Sequence, residues 1–189
     1  DGVSTSAPCV DLNSDGALSI TDVALAADCA HLGHNHLGAN GVEDHCDWNG
    51  SLLVPDQEVF FSLVYPHEDS SFVDVYLHNP QSWLSGWSIQ LDGATFTSMA
   101  PLFDTTGYAH FFHMNPSGMA FGVALEDSLI HKSTLPQPLV RLYFEDAAGD
   151  ICLLDVAEVT NEDRHNVAAS ASGCVTPATF RPGDVHAKG

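Results

Sequence analysis

From Gln57 onward the chain is a succession of short β-prone runs separated by turn residues: EVFFSLVY, SFVDVYLHN, GWSIQLDG, ATFTSM, YAHFFHM, MAFGVAL, PLVRLYFED and ICLLDVAEV. Several of them alternate. Val73, Val75 and Leu77 fall on one side of an extended segment, and Phe72, Asp74, Tyr76 and His78 on the other. That period of two buries one face of a strand and leaves the other to solvent or to polar partners. Runs of this kind with few helical stretches between them predict an all-β antiparallel sandwich over residues 57–176.

The 189 residues are enough for one medium domain, or for a small module attached to a domain of roughly 120 residues. A hydrophobic content of 44% is that of a folding chain and not of a disordered one. No apolar run approaches the ~18 residues of a spanning helix, so membrane insertion is not expected. With no initiator methionine and no signal-like apolar run at the front, the chain reads as a mature secreted product or a fragment.

Charge narrows the partners. Twenty-five acids face five bases (Lys132, Arg141, Arg164, Arg181 and Lys188), and the first 131 residues hold no lysine or arginine. A chain of net charge −20 has almost nothing with which to neutralise phosphates, so nucleic acid and anionic membranes are excluded as partners. Cations and basic proteins remain, beside the plain role of acidity in solubility.

Five cysteines, none in a C-x-x-C pair, argue against a zinc ribbon or a thioredoxin-like centre. They fall into two groups, as local disulfides of an extracellular protein do. Cys152 and Cys174 are expected to staple the end of the second half. Among Cys9, Cys29 and Cys46 one pair is expected, with one thiol left over.

The front of the chain has a different texture. Residues 1–8 are small and polar and read as an extended arm. The stretch DLNSDGALSITD, residues 11–22, then places oxygen-bearing groups at positions 1, 3, 5, 7, 9 and 12 of a loop: Asp11, Asn13, Asp15, the Ala17 carbonyl, Ser19 and Asp22. Calcium takes six to eight oxygens, and a twelve-residue loop supplies them at those positions. Gly16 falls at position 6, where the turn needs positive φ, and Leu18 at position 8 points inward. A short apolar helix follows, carrying Ile20, Val23, Leu25 and Ala26.

An aspartate closing such a loop, followed at once by an apolar helix, resembles the half-motif of a dockerin. The resemblance implies a small α-helical, EF-hand-like module over residues 9–56, calcium as its cofactor, and a role for positions 10 and 11, Ile20 and Thr21, in reading a partner. Dockerins carry two such units. The second stretch here, DWNGSLLVPDQE, offers Asp47, Asn49, Ser51 and Asp56, with Leu52 where glycine belongs; a two-residue deletion with Asp56 as closing acid fits equally well. Asn49-Gly50-Ser51 is also an N-glycosylation sequon, and a glycan and a metal on Asn49 exclude each other.

The second half resembles a cohesin, a nine-stranded jelly-roll sandwich whose business is binding dockerins. VDVYLHNPQSWLSGWSIQLD (73–92) is similar to its opening strands, and STLPQPLVRLYFEDAAGDICLLDVAEVTNEDRHNV to its closing ones. Residues 177–189, spaced by proline, read as an extended tail or an added edge strand.

Other constellations are weaker. His31, His34 and His36 sit close enough to form a transition-metal site, or are exposed loop histidines. His110 and His113 flank two phenylalanines, where packing is the expected role. Trp83 and Trp87, with Tyr76, are the candidates for stacking on sugar rings, against a reading in which Trp87 is core and Trp83 caps a turn. No nucleophile motif or phosphate loop appears, and no enzyme activity is expected.

The sequence therefore predicts an extracellular assembly protein: a calcium-binding module joined to a sandwich, associating head to tail with copies of itself or with a cohesin- or dockerin-type protein. The alternative is a monomer with its modules packed together, acting as a carbohydrate-binding or adhesive module. Calorimetric titration of the chelator-stripped chain with calcium is expected to show one strong site, abolished by Asp15→Ala.

Overall fold

The computed structural model describes residues 53–67, 70–103, 109–125, 128–163 and 165–177, together with Ile20, Asp22 and Val23. Eight strands make up most of it: β1 (Leu53–Val64), β2 (Phe72–Asn79), β3 (Leu84–Pro101), β4 (Ala109–Met114), β5 (Met119–Leu125), β6 (Ser133–Asn161), β7 (Asn166–Ser172) and β8 (Cys174–Val175). The three N-terminal residues have helical backbone.

The alternation at β2 is realised as expected. Val73, Val75 and Leu77 are fully buried. On the opposite face Asp74 is covered by Arg141, whose guanidinium donates to both carboxylate oxygens at 2.7 and 2.9 Å and lies 3.8 Å over the Phe72 ring. The hydrogen bond to Asp74 raises the Arg141 pKa above its ordinary value. In a chain so poor in bases, an aspartate in the middle of a sheet needs this one partner to be buried at all.

Two expectations are corrected. GWSIQLDG and ATFTSM form one strand of 18 residues, β3, and PLVRLYFED and ICLLDVAEV one strand of 29 residues, β6. The two pair antiparallel along their length with register shifts at six places. Each bulge adds twist and bend, so a single strand turns the corner from one layer to the other. Gly93 sits at one such corner with φ +96°, and a β-carbon there would lie 2.0 Å from the Asp150 carbonyl oxygen.

The pairings then resolve into two layers. One runs β7, β1, β2, the first part of β6 and the last part of β3. The other runs β4, β5, the first part of β3 and the last part of β6, with β8 beyond. The sandwich is not wholly antiparallel: β1 and β7 pair parallel, from Leu53↔Asn166 to Ser62↔Ser172. β1 begins at Leu53, ahead of the boundary expected at Gln57. The strand runs through Pro55 and Asp56 because the register with β7 skips between Val54 and Glu58, where no ladder donor is demanded of proline. Asp56, the expected closing ligand of a second calcium loop, thus lies in strand and not ahead of a helix.

Between the layers Trp87 is fully buried, its ring centroid 6.5 Å from Phe61 and 6.4 Å from Phe112. Trp87 is core, then, and Trp83 stacks on His131 at 4.2 Å at the end of the sandwich. That end is closed by the buried Asn79 amide, which donates to the carbonyls of Ser82 and His131 and accepts from Gln137. Cys152 and Cys174 are disulfide-bonded, joining β6 to β8 around a 22-residue separation that contains β7. Cys9, Cys29, Cys46, the histidines at 31, 34 and 36, the sequon at Asn49 and the tail from 178 lie outside the described residues.

His110 points inward from β4, its ring 5.0 Å from Phe103 and 5.7 Å from Phe112, and burial lowers its pKa. The unfolded chain then binds a proton that the folded one resists. Stability is full above the usual histidine value of about 6.5 and falls as pH drops through it toward the lowered value. Chemical denaturation at pH 7.5 and pH 5.5 is expected to show that loss, and His110→Phe to reduce it.

Candidate functional site: the outer face of the second layer

Alternation along β3 sends Trp87, Ile89 and Leu91 inward, so Gly86, Ser88 and Gln90 face out. On β5 the outward set is Met119, Phe121 and Val123. The inward set holds Ala120 and Gly122, where a β-carbon would lie 2.7 Å from the Trp87 indole. β4 adds Phe111 and His113, whose rings lie 6.0 and 5.4 Å from that of Phe121. β6 supplies Glu158 and Thr160. The result is a largely apolar face on which the Glu158 carboxylate stands, and Phe111 on it is 48% exposed.

Ile20 is seated on this face. It is 6% exposed and clusters with Val123 and Phe121. Its main-chain N–H donates to Glu158 Oε2 at 2.7 Å, across 138 residues of sequence. Beneath it is the bare backbone of Gly86: a β-carbon there would lie 3.3 Å from Ile20 Cγ1 and 2.8 Å from Thr160 Oγ1. Asp22, two residues on, is also buried, while Val23 is 40% exposed. Beside the seated isoleucine a cavity of about 340 Å³ opens between Ile20 and Val23 on one side and Ser88, Met119, Phe121 and Ala157 on the other. Among the described residues, the Ile20 side chain and its charge-assisted main-chain hydrogen bond to Glu158 join the segment to the sheet.

Of the residues expected to act, the structure brings Ile20 to this face, and Asp22 is buried two residues on. Thr21 and the loop positions Asp11, Asn13, Asp15, Ala17 and Ser19 lie outside the described residues, as do Asp47, Asn49 and Ser51. Trp83, Trp87 and Tyr76 are not brought together: one caps an end, one is interior, and one lies on the outer side of the first layer, so they form no common sugar platform. Among the described residues no group of three or more histidine, cysteine, aspartate or glutamate side chains is gathered as metal ligands. The sequence reading missed Gly86, Val123 and Glu158. A glycine inside a strand pattern was the available signal, since it marks a bulge or the close approach of another group.

No family model matches the chain, and no curated protein does. Among solved structures it is similar to the non-cellulosomal cohesin from the archaeon Archaeoglobus fulgidus, at 12% identity and a TM-score of 0.44 over 62% of this chain and 88% of that one. It is also similar to the sixth cohesin of scaffoldin B from Acetivibrio cellulolyticus, solved in complex with a Cel5 dockerin, at 12% identity and 0.45 over 64% and 97%. A third is CaCohA2 from Clostridium acetobutylicum, at 19% identity and 0.42 over 67% and 94%.

Thr160 is fully buried beside the socket, and among the described residues its hydroxyl has no hydrogen-bond partner. An unsatisfied buried hydroxyl costs on the order of 1–3 kcal/mol. Thr160→Val keeps the shape and removes that cost, so its melting temperature is expected to equal or exceed that of the parent.

Proposed function

We propose that this chain is an extracellular assembly module in which the outer face of the second layer captures a helical segment of the kind that carries Ile20. The observation that carries the reading is the seating of Ile20: buried side chain, glycine beneath, N–H on Glu158. The sequence resemblance of the two halves to dockerin and cohesin points the same way, and a disulfide between β6 and β8 fits an oxidising, extracellular setting.

One chain carries both the face and its occupant. Where the segment of one copy seats on the next, the contact is heterologous, and it builds an open filament or lattice unless the rotation happens to close. Calcium held by the loop ending in Asp22 would fix the turn from which Ile20 projects, making it the cofactor of docking and not of catalysis. No reaction is assigned to the face. The second reading, a monomer with the segment seated on its own sandwich, is favoured by the contact lying within a single chain.

Light scattering and negative-stain imaging of the full chain separate the two. Calcium-dependent polymers that disperse with chelator, and equally with Ile20→Asp, are the expected result. A monomer at all protein concentrations, with or without calcium, would leave only the closed form.

A further inference from the structure

We infer that residue 86 is a size gate: the face accepts a helical segment presenting a β-branched aliphatic side chain at one position and an apolar one three residues on, and rejects larger knobs. This rests on the docking reading above and narrows it to a class of partner.

Gly86 has no backbone need to be glycine, since its φ is not in the left-handed region. What its missing side chain provides is space. Its register partners are Val123 on β5 and Thr160 on β6, so the socket has a wall on either side and bare backbone as its floor. Adding one carbon to that floor already brings it to 3.3 Å from Ile20 Cγ1, a separation tighter than ordinary packing. Glu158 stands two residues from Thr160 on β6 and meets the N–H of the same residue that fills the socket. Side chain and main chain of Ile20 are therefore read at two fixed points. Val23, three residues on in helical backbone, lies on the same side and lines the adjoining cavity, as the second anchor of a helix laid in a groove. The 340 Å³ beside the knob lies next to the second anchor, so volume is available there and not beneath residue 20.

The same β-carbon would also meet Thr160 Oγ1 at 2.8 Å, which offers a rival account: Gly86 serves only the sheet. Coupling between positions 86 and 20 distinguishes them. Amide hydrogen exchange of the full, calcium-loaded chain reads the protection of the residue-20 N–H that Glu158 accepts. Ile20→Ala, which removes the Cγ1 that the added carbon meets, is expected to lower protection by roughly fivefold and Gly86→Ala by about tenfold or more, while the double variant should stay within about threefold of Ile20→Ala alone. Ile20→Phe, which leaves the sandwich untouched, should lose protection as fully as Gly86→Ala. Unchanged protection in Gly86→Ala, or a double variant showing the product of the two single losses, would overturn the gate. Ile20→Asp tests the docking reading separately: if it leaves protection intact, docking fails; if it abolishes protection while the 86–20 coupling is absent, only the gate fails.

Discussion

The structure turns on the packing of one indole against a strand that has no side chain to separate them. Trp87 lies against Gly122 of β5, meets Phe61 across the interior and meets Phe112 within its own layer. Because successive side chains on a strand point to opposite faces, fixing Trp87 inward fixes Gly86 outward. A one-residue slip of β3 would expose the tryptophan and drive the glycine into the core, so the register is strongly specified. The interior thereby sets the position of the socket on the outer face. Core and outer face are served by consecutive residues of one strand.

The same constraint explains why the two long strands bend instead of breaking. β3 and β6 must each place apolar residues in the interior at both ends, from Leu84 to Phe96 and from Leu139 to Val159, while passing from one layer to the other. Bulges let the alternation restart after a shift in phase without an added loop. Charge is handled in the same economical way. The Asp74–Arg141 pair stands on the outer side of the first layer, and on the second layer's outer face the Glu158 carboxylate accepts from the Ile20 main-chain N–H.

Much of the sandwich was legible in the sequence because alternation reports directly which face of a strand is apolar. Val73, Val75 and Leu77 could be placed inside from pattern alone, and the late pair of cysteines from spacing. Continuity of β3 and β6 was not legible, since a bulge and a turn leave the same mark of glycine and polar residues. Nor was the parallel pairing of β1 with β7, which depends on where two distant segments meet. The face itself was invisible for a related reason. Ser88, Glu158 and Thr160 look like the ordinary solvent side of strands, and only the arrival of Ile20 from far along the chain gives them a role. Ile20 was singled out by its place in a loop motif, whereas the glycine that receives it had no such marker.

A segment and its receptor on one chain also set the terms for any assembly. A covalently linked partner competes at an effective concentration on the order of millimolar when the connection is short. A separate copy must match that before it displaces the chain's own Ile20. Tight capture of a second copy then requires that something disfavour closure within the chain or enlarge the contact between chains. The unfilled volume beside Val23 and the exposed ring of Phe111 lie where such an enlargement would fall. A partner that covers them as well as the socket gains apolar burial that the seated segment alone does not make, and so outcompetes it without any change in the socket.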